Sequence, residues 1–332
     1  MDSLFASLGT TSVADRSAIL ALAALLDAVL GDPRWLWGRI WHPVVVIGRA
    51  LSVLDRGLNR GPPGVRLVTG LVTVLVIVGG AAALGWALSV WTAARPWGWV
   101  AEWLLVGIMI AQRDLFDHVR AVASGLSQGL PQGRAAVARI VGRDPDSLDR
   151  HGVARAAIES LFENFSDGVV APMLWYLALG PAGLLGYKAL NTCDSMIGHR
   201  SLTYLHFGRV AARADDVANL IPARLAGLVV ALAAVFVPGA NPRAALVTMW
   251  RDASKHRSPN AGWPEAAAAG ALGLALAGPR RYGLALVADP WIGTGRAQAE
   301  VVDIKRGLTL FATSCLVFVA VVLAIGVLAG RG

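Results

Sequence analysis

The sequence has few charged side chains. Asp, Glu, Lys and Arg make up 16% of its 332 residues, whereas a soluble domain carries about 25%. Hydrophobic residues account for 55% and are grouped in long blocks, a pattern typical of integral membrane proteins. The composition therefore argues against two soluble domains. It predicts a single membrane-embedded domain over residues 1–332, with functional loops.

Cysteine and the common nucleotide-binding motifs are also scarce. Cys193 and Cys315 are far apart and form no CxxC motif, which argues against a disulfide framework and against a zinc site. The sequence contains no GxxxxGK[ST] or HExxH motif, and the pair Gly293 and Gly295 lacks the third glycine of a dinucleotide site. A nucleotide would therefore have to bind without a standard motif.

The formal net charge is +8, and the arginines cluster in loops beside apolar blocks. This distribution follows the positive-inside rule, and no basic stripe with interleaved aromatic residues suggests nucleic acid binding. We therefore expect membrane lipid as a partner and no nucleic acid. The predicted location is the cytoplasmic (inner) membrane, with the basic loops near 31–66, 112–155, 191–224 and 241–265 on its cytoplasmic side.

The fold class that we predict is all-α, as a polytopic membrane protein. The first apolar run ends at Gly31-Asp32-Pro33, which is no signal-peptide cleavage site, so it is interpreted as a retained span. The predicted spans lie near 17–30, 65–91, 97–111 and 308–328. Three further apolar runs are short or interrupted, which predicts re-entrant or broken helices near 168–190, 226–237 and 266–277.

An acidic stripe precedes the first interrupted run, in the segment ESLFENFSDGVVAP (159–172). Glu159, Glu163 and Asp167 recur every four residues, so an α-helix would place them on one face. Like charges at this spacing repel, and either a divalent cation or arginine partners would offset the repulsion. A solvated acidic face is the alternative, but carboxylates next to a membrane are costly.

Four more polar clusters lie at the ends of apolar runs. Each has a simple structural explanation on its own, such as a helix cap, a local ion pair or a turn. His199 and His206 are expected to have surface or packing roles. The candidate residues are Asp32, His42 and Arg49 after the first run; Asn191, Asp194 and Ser195; Arg213, Asp215, Asp216, Asn219 and Arg224; and Lys255, Ser258, Asn260 and Glu265.

Six segments together resemble one known family. They are LLDAVLGDP, HPVVVIGR, ESLFENFSDGVVAP, NTCDSMIGHR, FGRVAARADDVANLIPARL and SPNAGWPEAAAAGALG, and in this order they resemble adenosylcobinamide-phosphate synthase of cobalamin biosynthesis. The resemblance runs from about Leu25 to about Leu310. It implies an ATP-dependent ligase that joins adenosylcobyric acid, a corrinoid, to aminopropanol phosphate or a related amino-alcohol phosphate through an amide bond, with Mg²⁺ accompanying ATP.

The resemblance and the residue chemistry together give each candidate a predicted role. Carboxylates would position metal or nucleotide, and amides, hydroxyls and cations would contact substrate and phosphate. A homo-oligomer and contacts with other enzymes of the pathway stay open. The catalytic set is Glu159, Glu163, Asp167, Asp194, Asp215 and Asp216; the substrate- or nucleotide-binding set is Asp32, His42, Arg49, Asn164, Asn191, Ser195, Arg213, Asn219, Arg224, Lys255, Ser258, Asn260 and Glu265; the metal ligands are Glu163, Asp194 and Asp216.

Two alternative functions do not involve catalysis. A transporter would carry polar residues within its spans, whereas here the polar clusters lie at span ends, with Asp27 as the main exception. A non-catalytic membrane sensor related to the family would be expected to lose several of the six motifs, and all six are present.

Overall fold

A computed structural model describes residues 12–142, 144–282 and 285–331. α-Helices dominate these residues, and four short strands form two antiparallel pairs, β1 with β4 and β2 with β3. The strands are β1 (Leu276–Ala277), β2 (Arg280–Tyr282), β3 (Ala285–Val287) and β4 (Trp291–Ile292). The helices are α1 (Val13–Leu30), α2 (Arg34–Trp37), α3 (Pro43–Leu58), α4 (Pro63–Ala93), α5 (Gly98–Met109), α6 (Gln112–Gln128), α7 (Leu130–Val137), α8 (Arg150–Phe165), α9 (Ala171–Ile197), α10 (Arg209–Ala218), α11 (Leu220–Ala233), α12 (Pro242–Asp252), α13 (Gly262–Leu272) and α14 (Val301–Ala329).

Three helical stretches are long and apolar enough to cross a membrane. They are α4, the run Arg150–Ile197 and α14, and the pair α10 and α11 would add a fourth if the two form one span. The 31 residues of α4 extend about 46 Å at 1.5 Å per residue, more than the roughly 30 Å of a hydrocarbon core. The predicted all-α polytopic membrane fold is thus confirmed, and the spans predicted at 65–91 and 308–328 coincide with α4 and α14.

The spans predicted at 17–30 and 97–111 form the helices α1 and α5. These helices have 18 and 12 residues and are not among the candidate spans found in the described part of the chain. The length of α5 is about 18 Å, short of the hydrocarbon thickness, and α1 buries the charged residues Arg16 and Asp27. Membrane crossing by these two helices stays a prediction.

The run near 168–190 is predicted to be interrupted, because the sequence Gly180-Pro181 breaks it, and this break is confirmed. Gly180 has φ 63° and ψ −152°, which kinks α9 just before Pro181. A second irregularity, the π-helical turn Ser166–Val170, joins α8 to α9. The runs near 226–237 and 266–277 fall on α11 with the turn after it, and on α13 with β1. Re-entry of these segments into the membrane stays a prediction.

The contacts divide the chain into two compact units. Unit 1 comprises Met1–Ile110, Ala171–Asn219 and Val322–Gly332. Its helices α3, α4, α9 and α10 enclose an apolar core that includes Leu51, Val74, Cys193 and Phe207. A Cβ at Gly70 would overlap the carbonyl of Phe207, so only glycine lets α4 approach the loop before α10 this closely.

Unit 2 comprises Ala111–Val170 and Leu220–Val321. Helix α8 is buried along most of its length, and Phe165 packs edge-on against Phe311 of α14 at 5.7 Å between ring centroids. The helices α12 and α13 pack closely because a Cβ at Gly270 would overlap the carbonyl of Ala244. That the two units act as one synthase domain stays a prediction.

Candidate functional site

The acidic stripe is only partly the α-helical face that its spacing predicts. Glu159 and Glu163 lie in α8, and Asp167 lies in the π-helical turn that follows it. The stripe is therefore not on one continuous α-helix, and a shared face for all three carboxylates stays a prediction. Asn164 is exposed, and its side-chain amide donates to the carbonyl of Ser160 at 2.9 Å.

Glu159 has a structural partner in unit 2. It is 6% exposed, and its Oε1 accepts a hydrogen bond of 2.8 Å from the backbone N–H of Ala277. Ala277 has a φ of +57°, a backbone conformation that is unfavourable for a residue with a Cβ. The carboxylate thus binds the backbone at the end of β1, so it contributes to holding that segment in place.

A buried polar network joins α9 to α10 in unit 1. Asp215 accepts hydrogen bonds at both carboxylate oxygens, from Asn191 at 3.4 Å and from Asn219 at 2.9 Å. Tyr187 completes the network by donating to the side-chain carbonyl of Asn219 at 2.9 Å. Sequence reasoning selected Asn191, Asp215 and Asn219, and the structure brings them together. It missed Tyr187, which looks like an ordinary apolar-run residue.

Two further carboxylates lie near this network. Asp194 is close enough to Asp215 and to Asp216 for mutual electrostatic repulsion, and Asp216 lies 3.8 Å from the guanidinium of Arg213. Ser195 is exposed on the same turn as Asp194. The residues in unit 1 thus combine three carboxylates with two amides, the oxygen-rich chemistry that hard cations prefer.

The predicted metal role of Glu163, Asp194 and Asp216 stays a prediction. In the ranges that the structure describes, no three His, Cys, Asp or Glu side chains are arranged to hold a metal ion. Mg²⁺ is usually bound by one or two carboxylates together with water and substrate phosphates. The donor types in unit 1 fit such an open site, and they do not form a closed protein cage.

A cavity of about 380 Å³ opens beside the network in unit 1. Half of its lining residues carry cationic or imidazole side chains, and Asp216 supplies a carboxylate. The basic residues come from the loop 198–208 and from the first two turns of α10. The lining residues are Gly198, His199, Arg200, Tyr204, Leu205, His206, Arg209, Ala212, Arg213 and Asp216.

The loop 198–208 that forms the cavity is held at both ends and at its tip. A Cβ at Gly208 would overlap the carbonyl of Ile197, so glycine lets the loop close on itself. At the tip, Tyr204 donates to Asp55 at 3.0 Å, and burial together with this hydrogen bond raises the pKa of Tyr204. Arg66 also donates to the carbonyl of Thr203.

Sequence reasoning missed most of this cavity. It selected Arg213 and Asp216 but gave His199 and His206 surface or packing roles, and it did not consider Arg200 or Arg209. The available signal was the recurrence of arginine at 200, 209 and 213 around one acidic pair. These arginines line one cavity only because the loop 198–208 folds back on itself, and the spacing of residues along the chain does not show that closure.

In unit 2, Asp252 ends α12 and is bound by several donors from the residues around it. It is fully buried and accepts hydrogen bonds from Arg251 at 2.7 and 2.8 Å and from the backbone N–H of Gly293 at 2.8 Å. The Nζ of Lys255 lies 2.7 Å from the Oδ1 of Asp252. These donors, with Arg251 the strongest, hold the pKa of Asp252 well below its usual range. Lys255, predicted to bind phosphate, is thus engaged with a residue that sequence reasoning missed.

The other predicted binding residues of unit 2, on α11 and in the segment after α12, also have partners within that unit. Arg224 donates to the side-chain carbonyl of Asn260 at 2.9 Å and stacks on the Trp263 ring at 4.6 Å. The hydroxyl of Ser258 accepts from the backbone of Asn260 at 3.2 Å. Glu265 is buried and lies 3.7 Å from His256. Substrate binding by these residues stays a prediction.

The loop after α1 brings two of its three predicted residues together. Asp32 accepts from the Trp37 indole at 3.2 Å and lies 3.8 Å from His42. His42 caps α3 by accepting from the backbone N–H of Val44 at 3.2 Å. Arg49, about two helical turns after His42, stacks over Trp41 at 3.7 Å.

The carboxylates that were predicted to share one site fall in both units. Glu159, Glu163 and Asp167 belong to unit 2, whereas Asp194, Asp215 and Asp216 belong to unit 1. Within unit 1 the last three lie close together. Convergence of the two sets on one substrate stays a prediction.

Comparison with known proteins gives one consistent family. The family model described as "CobD/Cbib protein" matches residues 20–311. The cobalamin biosynthesis protein CobD of a Sinorhizobium species is 52% identical over 316 residues, which cover 93% of this chain and 98% of the relative. The proteins of the same name from Rhizobium meliloti (strain 1021) and Brucella suis biovar 1 (strain 1330) are 52% and 50% identical, covering 90% and 92% of this chain and 93% and 95% of theirs. No solved structure matches significantly.

Proposed function

Because the chain belongs to the CobD/Cbib family, we propose that it is the enzyme that makes adenosylcobinamide phosphate in cobalamin biosynthesis. In this proposal, it joins adenosylcobyric acid to aminopropanol phosphate, or to a related amino-alcohol phosphate, in an ATP-dependent amide ligation. The observation that carries the proposal is the pairing, within unit 1, of a cation-lined cavity with a buried carboxylate–amide network.

The proposed chemistry starts from an unreactive acid. A carboxylate is a poor electrophile, so one of its oxygens attacks the γ-phosphorus of ATP, and ADP leaves. The amine nitrogen then attacks the carbonyl carbon of the acyl phosphate, and inorganic phosphate leaves with that oxygen. Two protons are lost as the ammonium group becomes an amide nitrogen. Such a reaction depends mainly on positioning and charge stabilisation, and it requires no covalent protein nucleophile.

The residues of unit 1 suit these tasks. Arg200, Arg209 and Arg213 provide positive charge for phosphate groups, and Asp216 provides a carboxylate that can attract the ammonium group and accept a proton. Asp215 has both oxygens engaged by amides, so we assign it a positioning role for α10. Mg²⁺ accompanying ATP would offset phosphate charge, and Asp194 is the carboxylate of unit 1 that is proposed to hold it.

The experiment that tests this function compares ligation with transport. Purified protein is incubated with adenosylcobyric acid, aminopropanol phosphate and ATP, and the amide product is measured by mass spectrometry. In parallel, proteoliposomes are tested for corrinoid flux. We expect ATP-dependent amide and no flux above that of empty liposomes. Flux without amide formation would instead support a transporter, and amide formation without ATP would contradict the mechanism.

Asp194→Asn provides the matched test of the site. Loss of its charge should lower turnover strongly, by about 100-fold or more if the carboxylate acts in the transition state. Asp117→Asn is the control, because Asp117 lies in α6 of unit 2 and pairs locally with Arg113 and Arg120. Equal turnover for the two variants would remove Asp194 from the proposed site.

A further inference from the structure

We propose that the 380 Å³ cavity of unit 1 binds a small phosphate monoester that carries an amine, with its phosphate on the arginines and its ammonium group on Asp216. Within the proposed function, on which this inference rests, the cavity would be the subsite of the amino-alcohol phosphate. It would not be the subsite of ATP or of the corrinoid.

The charges of the cavity favour a phosphate. Arg200, Arg209 and Arg213 line it together with His199 and His206. Guanidinium groups bind phosphate through paired, charge-assisted hydrogen bonds. Imidazoles add donors, and they add charge when protonated. A phosphate group would gain charge-assisted hydrogen bonds from these side chains that a neutral ligand would not gain.

The position of Asp216 favours a ligand that also carries a cation. Its carboxylate lines the same cavity, and both Arg200 and Arg213 interact with it electrostatically. A phosphate dianion alone would be repelled by this carboxylate, whereas the ammonium group of an amino phosphate would be attracted. Asp194 lies near Asp216 and strengthens the negative potential at that end.

The size and stability of the cavity favour a small ligand. Its volume is near the lower end of the range of about 300–1,000 Å³ for small-molecule sites, so it excludes a whole corrinoid. The contacts of Tyr204 with Asp55 and of Arg66 with Thr203 hold the loop in place. The backbone that carries His199, Arg200 and His206 therefore needs little reorganisation when phosphate binds, which favours affinity.

A phospholipid headgroup offers related chemistry, since phosphatidic acid also ends in a phosphate monoester. The proposal commits to the soluble ligand, and the experiment separates the two sources. Purified protein in a phospholipid-free detergent is titrated with inorganic phosphate and with aminopropanol phosphate by isothermal titration calorimetry. Nanodiscs of phosphatidylcholine with and without phosphatidic acid provide the lipid comparison.

The expected result is binding of both soluble ligands, tighter for the amino phosphate. Arg200→Gln and Arg209→Gln should each weaken phosphate binding about ten-fold or more, equivalent to about 1.4 kcal/mol. Asp216→Asn should weaken binding of aminopropanol phosphate but not of inorganic phosphate. Arg39→Gln is the matched control, because Arg39 is exposed in unit 1 and does not line the cavity.

Kinetics then identify the subsite. Arg209→Gln should raise the KM of aminopropanol phosphate about ten-fold and leave the KM of ATP unchanged. A raised KM for ATP alone, wild-type phosphate affinity in both arginine variants, or binding only of phosphatidic acid would each overturn the inference. If the wild-type protein binds phosphate through these arginines but makes no amide, the proposed function fails while the phosphate site stands.

Discussion

At the scale of single residues, the network around Asp215 shows how a polar group is kept inside an apolar chain. Asp215 and Asn219 are 7% and 1% exposed. Buried polar groups are tolerated when their hydrogen bonds are made, and here two amides and a phenol supply them. The network fixes the orientation of α10, which carries Arg213 and Asp216 into the cavity.

Asn219→Ala should therefore destabilise the protein. The substitution removes the hydrogen bonds that Asn219 makes with Asp215 and with Tyr187, at a cost of about 1–3 kcal/mol. The measurement is the thermal unfolding midpoint in detergent. Asn164→Ala is the matched control, because Asn164 is exposed and surface changes usually stay within about 0.5 kcal/mol. Equal shifts for the two variants would contradict a structural role of the network.

At the scale of elements, the kink of α9 depends on a residue far away in the sequence. Pro181 has no N–H to donate to the carbonyl of Leu177, four residues earlier. Arg16 of α1 replaces that donor, since its Nη1 donates to the carbonyls of Leu177 and Ala178, both at 3.2 Å. The charge of Arg16 is balanced electrostatically by Glu102, which also accepts from Tyr176 at 2.7 Å and from Thr92 at 2.6 Å.

Arg16→Met should therefore loosen the kink and destabilise unit 1. The substitution removes the hydrogen bonds to two carbonyls and the positive charge that balances the buried Glu102. Leaving a buried charge uncompensated costs about 3–5 kcal/mol, so the thermal midpoint in detergent should fall clearly. Arg16→Lys should restore part of the loss, because it keeps the charge but not the fork of donors. Arg39→Met, on the surface, should leave the midpoint unchanged. Wild-type stability of Arg16→Met would show that the kink does not need this donor.

The hydrogen-bonded carboxylate at the end of α12 should make the stability of the folded protein depend on pH. Asp252 has a pKa lowered by Arg251, Lys255 and Gly293, so its carboxylate stabilises the folded state above the unfolded pKa of about 3.9. This contribution is lost as the pH falls through that value towards the lower folded pKa. Asp252→Asn should therefore be less stable at pH 6, and its stability should fall less steeply than that of the wild type between about pH 5 and pH 3.

The measurement is the unfolding midpoint as a function of pH for both proteins. Asp146→Asn serves as the control, because Asp146 is an exposed carboxylate of unit 2. Parallel pH profiles for the wild type and Asp252→Asn would mean that this carboxylate does not contribute to stability in acid.

At the scale of the whole molecule, the positive-inside rule predicts that the loops 191–224 and 241–265 both face the cytoplasm. Cysteines introduced at the exposed positions Ser201 and Ser254 should react with a membrane-impermeant maleimide only from the cytoplasmic side. The native cysteines are buried and should give little background. A cysteine at exposed Ala94, next to the predicted outside turn, should react from the opposite side. Labelling of Ser201Cys or Ser254Cys from outside would contradict this topology.

Much of the architecture was predictable from the sequence because hydrophobic length and Gly-Pro breaks act locally. The long helices α4 and α14 and the kink at Gly180 follow from such signals. The π-helical turn at Asp167 did not, since packing and not local sequence decides where a helix gains a residue. The partners of Arg16, Glu159 and Asp252 were also not predictable from local sequence, because only the fold brings them close.

The six motifs were sufficient to identify the family, and they predicted the members of the Asp215 network. They did not predict the cavity, because its cations come from a loop whose closure depends on Gly208. Spacing along the chain shows which residues share a helix face, but it does not show which loop returns to that face. The polar motifs thus indicated which residues are candidates for the site, but not which other residues lie next to them in the structure.

The central claim is that the chain activates a corrinoid carboxylate with ATP and then forms an amide. The most direct measurement uses adenosylcobyric acid labelled with ¹⁸O in the reacting carboxylate, with purified protein, ATP and aminopropanol phosphate. The proposed ligation should place one labelled oxygen in inorganic phosphate for each amide formed, because that oxygen bridges carbon and phosphorus in the acyl phosphate. Amide formation with unlabelled phosphate, or label in AMP, would contradict it.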